Sequence, residues 1–272
     1  MLRLALRVAR GDAEVVLAEL LELAPGGVEE LDIGEDVVEY AVYGADGELP
    51  ALPELKAVAG EALIEVSTSE VADDWERRWR EFHRPLVLAG RLTVRPPWEP
   101  PAETPIDLVI DPGRAFGTGA HATTRLCLEL MLELDPGGGF ADLGCGSGVL
   151  AIAAARLGWS PVLALDNDPA SLEATAENAR VNGVALEVRR HDLRREPAEP
   201  RPTVAANLLA PLLLIWAERL RTAPRRPRQV IASGLLAGEV DRVAPAFTAL
   251  GLVERSRRER GDWAAALFAA EA

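Results

Sequence analysis

The stretch that most narrows the fold is "FADLGCGSGVLAIAAARLG", residues 140–158, followed at once by "PVLALDND", residues 161–168. An apolar run of strand length enters a turn with glycine at 144, 146 and 148. An alanine-rich helical stretch comes next, and a second apolar run ends at Asp166. Strand, tight turn, helix and strand in that order form the crossover unit of a parallel sheet. The turn brings backbone close to a ligand, and its spacing decides which one. A dinucleotide fingerprint counted from Gly144 needs glycine at 149, where Val149 stands. The G-x-G-x-G form points instead to S-adenosylmethionine. Asp166 lies 22 residues after Gly144, where an acidic side chain accepts from both ribose hydroxyls. Gly144, Gly146 and Asp166 are therefore candidate cofactor-binding residues.

The same rhythm continues through "VALEVRR", "TVAANLL" and "QVIASG", short apolar strand candidates alternating with helical segments. That alternation predicts an α/β sheet covered on both faces. "LVERSRRER" and "DWAAALFAA" supply a final pair of strands. Asn207 ends the fourth strand candidate, at the carboxyl edge where open α/β sheets bind ligands. Amine and base methyltransferases often have Asn-Pro-Pro and an aromatic here. Leu208, Leu209 and Ala210 stand in those places, which disfavours a flat acceptor.

One strand earlier, "FGTGAHATT" (116–124) opens a helix with Leu126, Leu130 and Leu134 on one side. It lacks the lysine of a phosphate-cradling loop. Thr123 and Thr124 are expected to cap free N–H groups at that helix start, and this N-terminus can also present a hydroxyl and N–H groups to the carboxylate of the cofactor's methionine part. His121 reads as structural, a lone histidine in a glycine loop. Asp142, on the strand before the turn, and Asp192, after the third strand candidate, are weaker ligand candidates beside turn and cap roles.

The first 68 residues have a different order. Leu2, Leu4, Leu6 and Val8 alternate as in a half-buried strand, and the following segments read βαββαβ, a small α+β ferredoxin-like domain. Residues 69–83 predict a helical linker with Trp75, Trp79 and Phe82 along one side, and residues 84–272 form the second domain.

Composition removes several classes. Two cysteines and three scattered histidines, at 83, 121 and 191, provide no metal site, and nothing basic is spaced to activate Cys145. No apolar run approaches a membrane span, and the N-terminal residues lack the block of a secretory signal, so a cytoplasmic protein without membrane association is expected. A net charge of −14 argues against a general nucleic-acid binder and suits a basic partner.

At "DPGRAFGTGAHATTRLCLEL", "DLGCGSGVLAIAAARLG", "LDNDPASLEATAENARVNGV", "AANLLA" and "IASGLL", the chain resembles the ribosomal protein L11 methyltransferase family. The resemblance is dense over residues 107–236, takes in the linker, and matches residues 1–68 mainly in size and strand order. It implies a class I methyltransferase with a Rossmann-like sheet. It further implies an N-terminal substrate-recognition domain over 1–68, a linker over 69–83 and a catalytic domain over 84–272. The donor implied is S-adenosylmethionine, and the acceptors are lysine side-chain amines and the N-terminal amine of one basic ribosomal protein. Carried over residue by residue, Thr124, Gly144, Gly146, Asp166 and Asn207 contact the cofactor and Phe116 lies over it. Direct nucleic-acid binding is not expected, and a monomer is. The alternatives are a methyltransferase acting on RNA or on another protein, and a noncatalytic cofactor-binding module.

Overall fold

A computed structural model describes residues 2–24, 27–34, 36–44, 49–70, 83–112, 121–197 and 199–271. The chain divides into two compact units, 1–82 and 83–272.

In the first unit, β1 (Leu2–Ala9), α1 (Ala13–Leu23), β2 (Glu29–Asp32), β3 (Val37–Gly44), α2 (Leu52–Ala59) and β4 (Leu63–Glu70) follow in order. The sheet order is β2-β3-β1-β4 with every pair antiparallel, which is the ferredoxin-like arrangement. Alternation along β1 settles which face is buried. Leu4, Leu6 and Val8 pack with Val16, Leu17 and Leu20 of α1 and Leu55 of α2. Arg3 and Arg7 point the other way and both reach Glu39, at 2.5 and 2.8 Å. Hydrogen bonding by Arg3 holds the Glu39 carboxyl below the ordinary range. The linker residues Trp75, Trp79 and Phe82 lie outside the described residues.

The second unit opens with a small sheet, β5 (Leu86–Leu88), β6 (Leu92–Arg95) and β7 (Ile106–Val109). The Arg95 guanidinium fastens β6 to β7 through bonds of 2.8 to 3.0 Å to Asp107. Then come α3 (Ala122–Met131), β8 (Phe140–Leu143), α4 (Val149–Leu157), β9 (Val162–Asp166), α5 (Pro169–Val181), β10 (Glu187–Arg190) and β11 (Thr203–Asn207). The chain finishes with α6 (Ala210–Leu220), β12 (Gln229–Leu236), α7 (Val240–Thr248), β13 (Leu252–Arg260) and β14 (Trp263–Ala270). Seven strands form one sheet in the order β10-β9-β8-β11-β12-β14-β13. The first five run parallel, and β14 is antiparallel to both of its neighbours. The chain reverses its direction of sheet growth between β8 and β11, and the crevice of an open α/β sheet lies at that point.

Strand alternation divides the core into two layers. Phe140, Val162, Ala164, Ala205 and Ile231 face α3 and α4, whereas Ala141, Leu143, Leu163, Leu165, Val204, Ala206 and Val230 face α6 and α7. Asp142, Asp166, Asn207 and Ser233 are each an even number of residues from the first set. All four thus sit on the α3/α4 side, Asp142, Asp166 and Asn207 at the carboxyl ends of β8, β9 and β11 and Ser233 within β12. No helix among the described residues is long and apolar enough to cross a membrane.

Candidate active site

The turn after β8 is built from backbone bonds. Gly144 and Cys145 donate to the Leu165 carbonyl at 2.8 and 3.0 Å, Gly148 donates to Cys145 at 2.7 Å, and Ile152 donates to Gly148 at 2.8 Å. Gly144 has φ +71°, and a Cβ there would lie 2.5 Å from Cδ2 of Leu208, the residue after Asn207. The left-handed backbone disfavours a side chain there, and one would also displace the flexible end of Leu208.

Asp166 takes two of the local N–H groups. Its Oδ2 accepts from Gly146 and its Oδ1 from Asp168, each at 3.0 Å. Asp168 caps α5 by accepting from Ala170 and Ser171, as its place before Pro169 implies. Burial raises the Asp166 carboxyl. Asp142 accepts from Ala151 of α4 at 3.0 Å through Oδ2, so it orients the helix after the turn. Its Oδ1 is buried with no partner among the described residues, and burial pushes the carboxyl up to about 7. Asp192 follows β10 beside Asp166, whose carbonyl accepts from His191, and its Oδ1 takes the Arg194 N–H in a turn.

The start of α3 corrects the expected capping. His121, not a threonine, is the N-cap, with Nδ1 accepting from the Thr123 N–H at 3.4 Å and lying 2.8 Å from Thr123 Oγ1. Its ring stands edge-on to Trp263 at 4.8 Å, and burial lowers its pKa to about 4. The imidazole is neutral, which is what a capping acceptor requires. Thr124 is 1% exposed, and its hydroxyl has no partner among the described residues. The helix ends at Met131, so Leu134 falls beyond it.

Gly146 therefore meets Asp166 directly, Gly144 is bonded to the neighbouring Leu165, and Asn207 is joined to them through Leu208. Thr124 belongs to the same layer, since the hydroxyl of Ser233, within β12, donates to the Thr123 carbonyl at 3.4 Å. Phe116 lies outside the described residues. Cys145 is inert, its thiol pushed well above the ordinary range by burial. No group of three or more metal-ligating side chains occurs among the described residues.

Two residues of α5 and its C-cap Asn182 escaped the reading of the sequence. Thr175 donates to the Gly146 carbonyl at 2.9 Å, and Asn178 donates to the Ser147 carbonyl at 2.9 Å. Asn178 Oδ1 also accepts from Asp111 at 3.1 Å, and Asn182 brackets Val109 through its N–H and carbonyl at 2.9 and 2.7 Å. The available signal was polar residues at i, i+3 and i+7 of "TAENARVN", one face of a helix that the fold must bury.

This geometry has known counterparts. Residues 23–271 match the family described as ribosomal protein L11 methyltransferase (PrmA). The chain belongs to that family. It is 37% identical over 254 residues to the ribosomal protein L11 methyltransferase of Pelotomaculum thermopropionicum, covering 87% of this chain and 82% of that one. With the Halorhodospira halophila member of the family it shares 36% identity over 285 residues, 96% of each chain. The crystal structure of the ribosomal protein L11 methylase from Lactobacillus delbrueckii subsp. bulgaricus superposes with a TM-score of 0.61 at 27% identity, covering 70% of this chain and all of that one.

Proposed function

We propose that the chain transfers methyl groups from S-adenosylmethionine to amines of ribosomal protein L11, namely lysine side chains and the N-terminal amine. The observation that carries this reading is which polar groups the crevice leaves uncommitted. In the turn 144–148 the N–H groups of Gly144, Cys145, Gly146 and Gly148 are satisfied within the protein, as are the carbonyls of Cys145, Gly146, Ser147 and Gly148. The Gly144 carbonyl, Asp142 Oδ1 and the Thr124 hydroxyl have no partner among the described residues. Asp142 and Thr124 are buried and Gly144 is half-buried, and buried polar groups are otherwise almost always paired, so the set marks a ligand site. Two acceptors and a hydroxyl donor near a helix N-terminus suit the ammonium and carboxylate of a methionine moiety. The residues present thus fit this cofactor, which when bound supplies a methyl group activated by a sulfonium.

Gly144 and Thr124 would hold the amino-acid end, Asp166 the ribose, with Gly146 fixing the Asp166 carboxylate. Asn207 offers both amide groups beside Leu208, and Phe116 serves as the cover. Asp192 takes no assigned part. An amine with a pKa of about 10.4 must lose its proton before it attacks. His121 is a weak base with Nδ1 already engaged by Thr123, so the proton leaves to water, and the chain acts by positioning and desolvation.

Residues 1–68 serve as the substrate-recognition domain, 69–83 as the linker and 84–272 as the catalytic domain. Through Glu70 the chain has 16 Asp and Glu against four Lys and Arg, close to the whole net charge of −14. A basic ribosomal protein is steered to that domain. The enzyme works as a monomer in the cytoplasm. Incubation with methyl-labelled cofactor and either purified ribosomal proteins or ribosomal RNA, followed by mass spectrometry, tests the assignment. Label is expected on L11 amines; label confined to RNA overturns it.

A further inference from the structure

We infer that Thr175 and Asn178 are positioning residues for the cofactor turn, acting from α5 on the side of the turn away from the ligand groups. The inference rests on the proposed donor site and adds residues to it. Thr175 is fully buried and Asn178 is 3% exposed. Between them they take the consecutive carbonyls of Gly146 and Ser147, each at 2.9 Å. A peptide plane held by its carbonyl has its N–H aimed the opposite way, so these two bonds set the tilt of the Gly146–Ser147 and Ser147–Gly148 peptides. The tilt reaches the ligand groups along the chain, because Gly146 donates to Asp166 and Gly148 donates to Cys145. Thr175 also braces the turn sterically. A Cβ on Gly148 would lie 2.8 Å from its methyl carbon and 3.1 Å from its Cα.

Asn178 adds a second connection. Its amide donates to Ser147 and accepts from Asp111, so the glycine turn and the exit of β7 share one side chain. Asn182, the C-cap just past α5, spends its side chain among the described residues on Val109 and the Asn178 carbonyl, and its own carbonyl accepts from Arg156 at 3.4 Å; none of these bonds is to the turn. The three residues therefore separate positioning of the turn from general anchoring of the helix.

The test measures S-adenosylhomocysteine affinity by calorimetry on the full chain, together with thermal unfolding of the free protein. Thr175→Val keeps the shape and removes the donor; Asn178→Asp keeps the acceptor for Asp111 and removes the donor to Ser147. Each is expected to weaken affinity by about tenfold, the scale of leaving a buried carbonyl unsatisfied. Thr175→Ser, which keeps the hydroxyl, is expected to restore affinity to within about twofold, a smaller change than any lost hydrogen bond. Asn182→Leu is expected to lower the melting temperature with affinity unchanged. If Thr175→Val binds as the native chain does, or Asn182→Leu weakens binding as much as Thr175→Val, the positioning role is overturned. A native chain that fails to bind the ligand at all overturns the donor site itself.

Discussion

Replacing Gly234 by alanine isolates the packing between the ends of β11 and β12. Gly234 has φ +77° and sits where the β12–β14 register shifts, and an added Cβ would lie 2.7, 2.8 and 2.9 Å from O, C and N of Leu208. Those atoms are backbone, held by the Leu208 N–H bond to the Ser233 carbonyl at 2.9 Å, so no flexible side chain can swing aside. The left-handed conformation costs alanine about 1–2 kcal/mol. Overpacking against rigid atoms adds about 1–3 kcal/mol, for a total of about 2–5 kcal/mol. In a unit of this size each kcal/mol moves the melting temperature by about 2–4 °C, which predicts a fall of about 4–20 °C. Two other glycines divide the effect. Gly251 has φ +80° with nothing within 4 Å of an added Cβ, and Gly238 has neither the positive φ nor a neighbour. Gly251→Ala should lose about 2–8 °C from the backbone conformation alone, and Gly238→Ala should be neutral or gain up to about 1 kcal/mol. Differential scanning calorimetry ranks the three. A Gly234→Ala melting temperature equal to that of Gly251→Ala would refute the steric argument.

Two further outcomes follow from the unpartnered groups. Thr124→Val removes a buried hydroxyl that has no partner, so the free protein should be as stable or more stable by about 1 kcal/mol while S-adenosylhomocysteine binds about five- to tenfold more weakly; destabilisation with unchanged affinity would show that the hydroxyl serves the fold. Asp142 has its carboxyl raised from 3.8 to about 7, so between those values the native state holds a proton that the unfolded chain has released. Stability should therefore decline as pH rises from about 4 to about 7 and level off above, by at most about 1.4 kcal/mol per pH unit. Asn has no such titration, so urea midpoints of Asp142→Asn and the native chain should diverge across that window in favour of Asn; parallel curves would count against a buried, protonated Asp142.

Local periodicity made most of the framework legible. Alternation in "LRLALRV" and the apolar runs ending at Leu143, Asp166 and Asn207 correspond to strands whose faces and ends are where a period of two puts them. Asp168 before Pro169 announced its cap for an equally local reason. What stayed hidden depends on distant partners. Asn178 meets Asp111 across 67 residues and Asn182 meets Val109 across 73, and no pattern within α5 reveals either. The paired threonines carried two readings, a cap or a ligand contact. Only the fold shows His121 taking the cap and leaving the Thr124 hydroxyl unused. Gly234 reads as one more strand glycine until the Leu208 backbone is found against it.

The two-layered core gives the chain separate controls. Every polar group assigned to the donor lies on the α3/α4 side of the large sheet, while Trp216, Phe247 and Phe268 fill the α6/α7 side, with Phe247 and Phe268 stacked at 4.8 Å. A change in that aromatic layer alters the margin against heat without addressing the crevice. A lineage moving to a hotter or colder habitat can therefore retune one side of the sheet while its chemistry on the other side stands still.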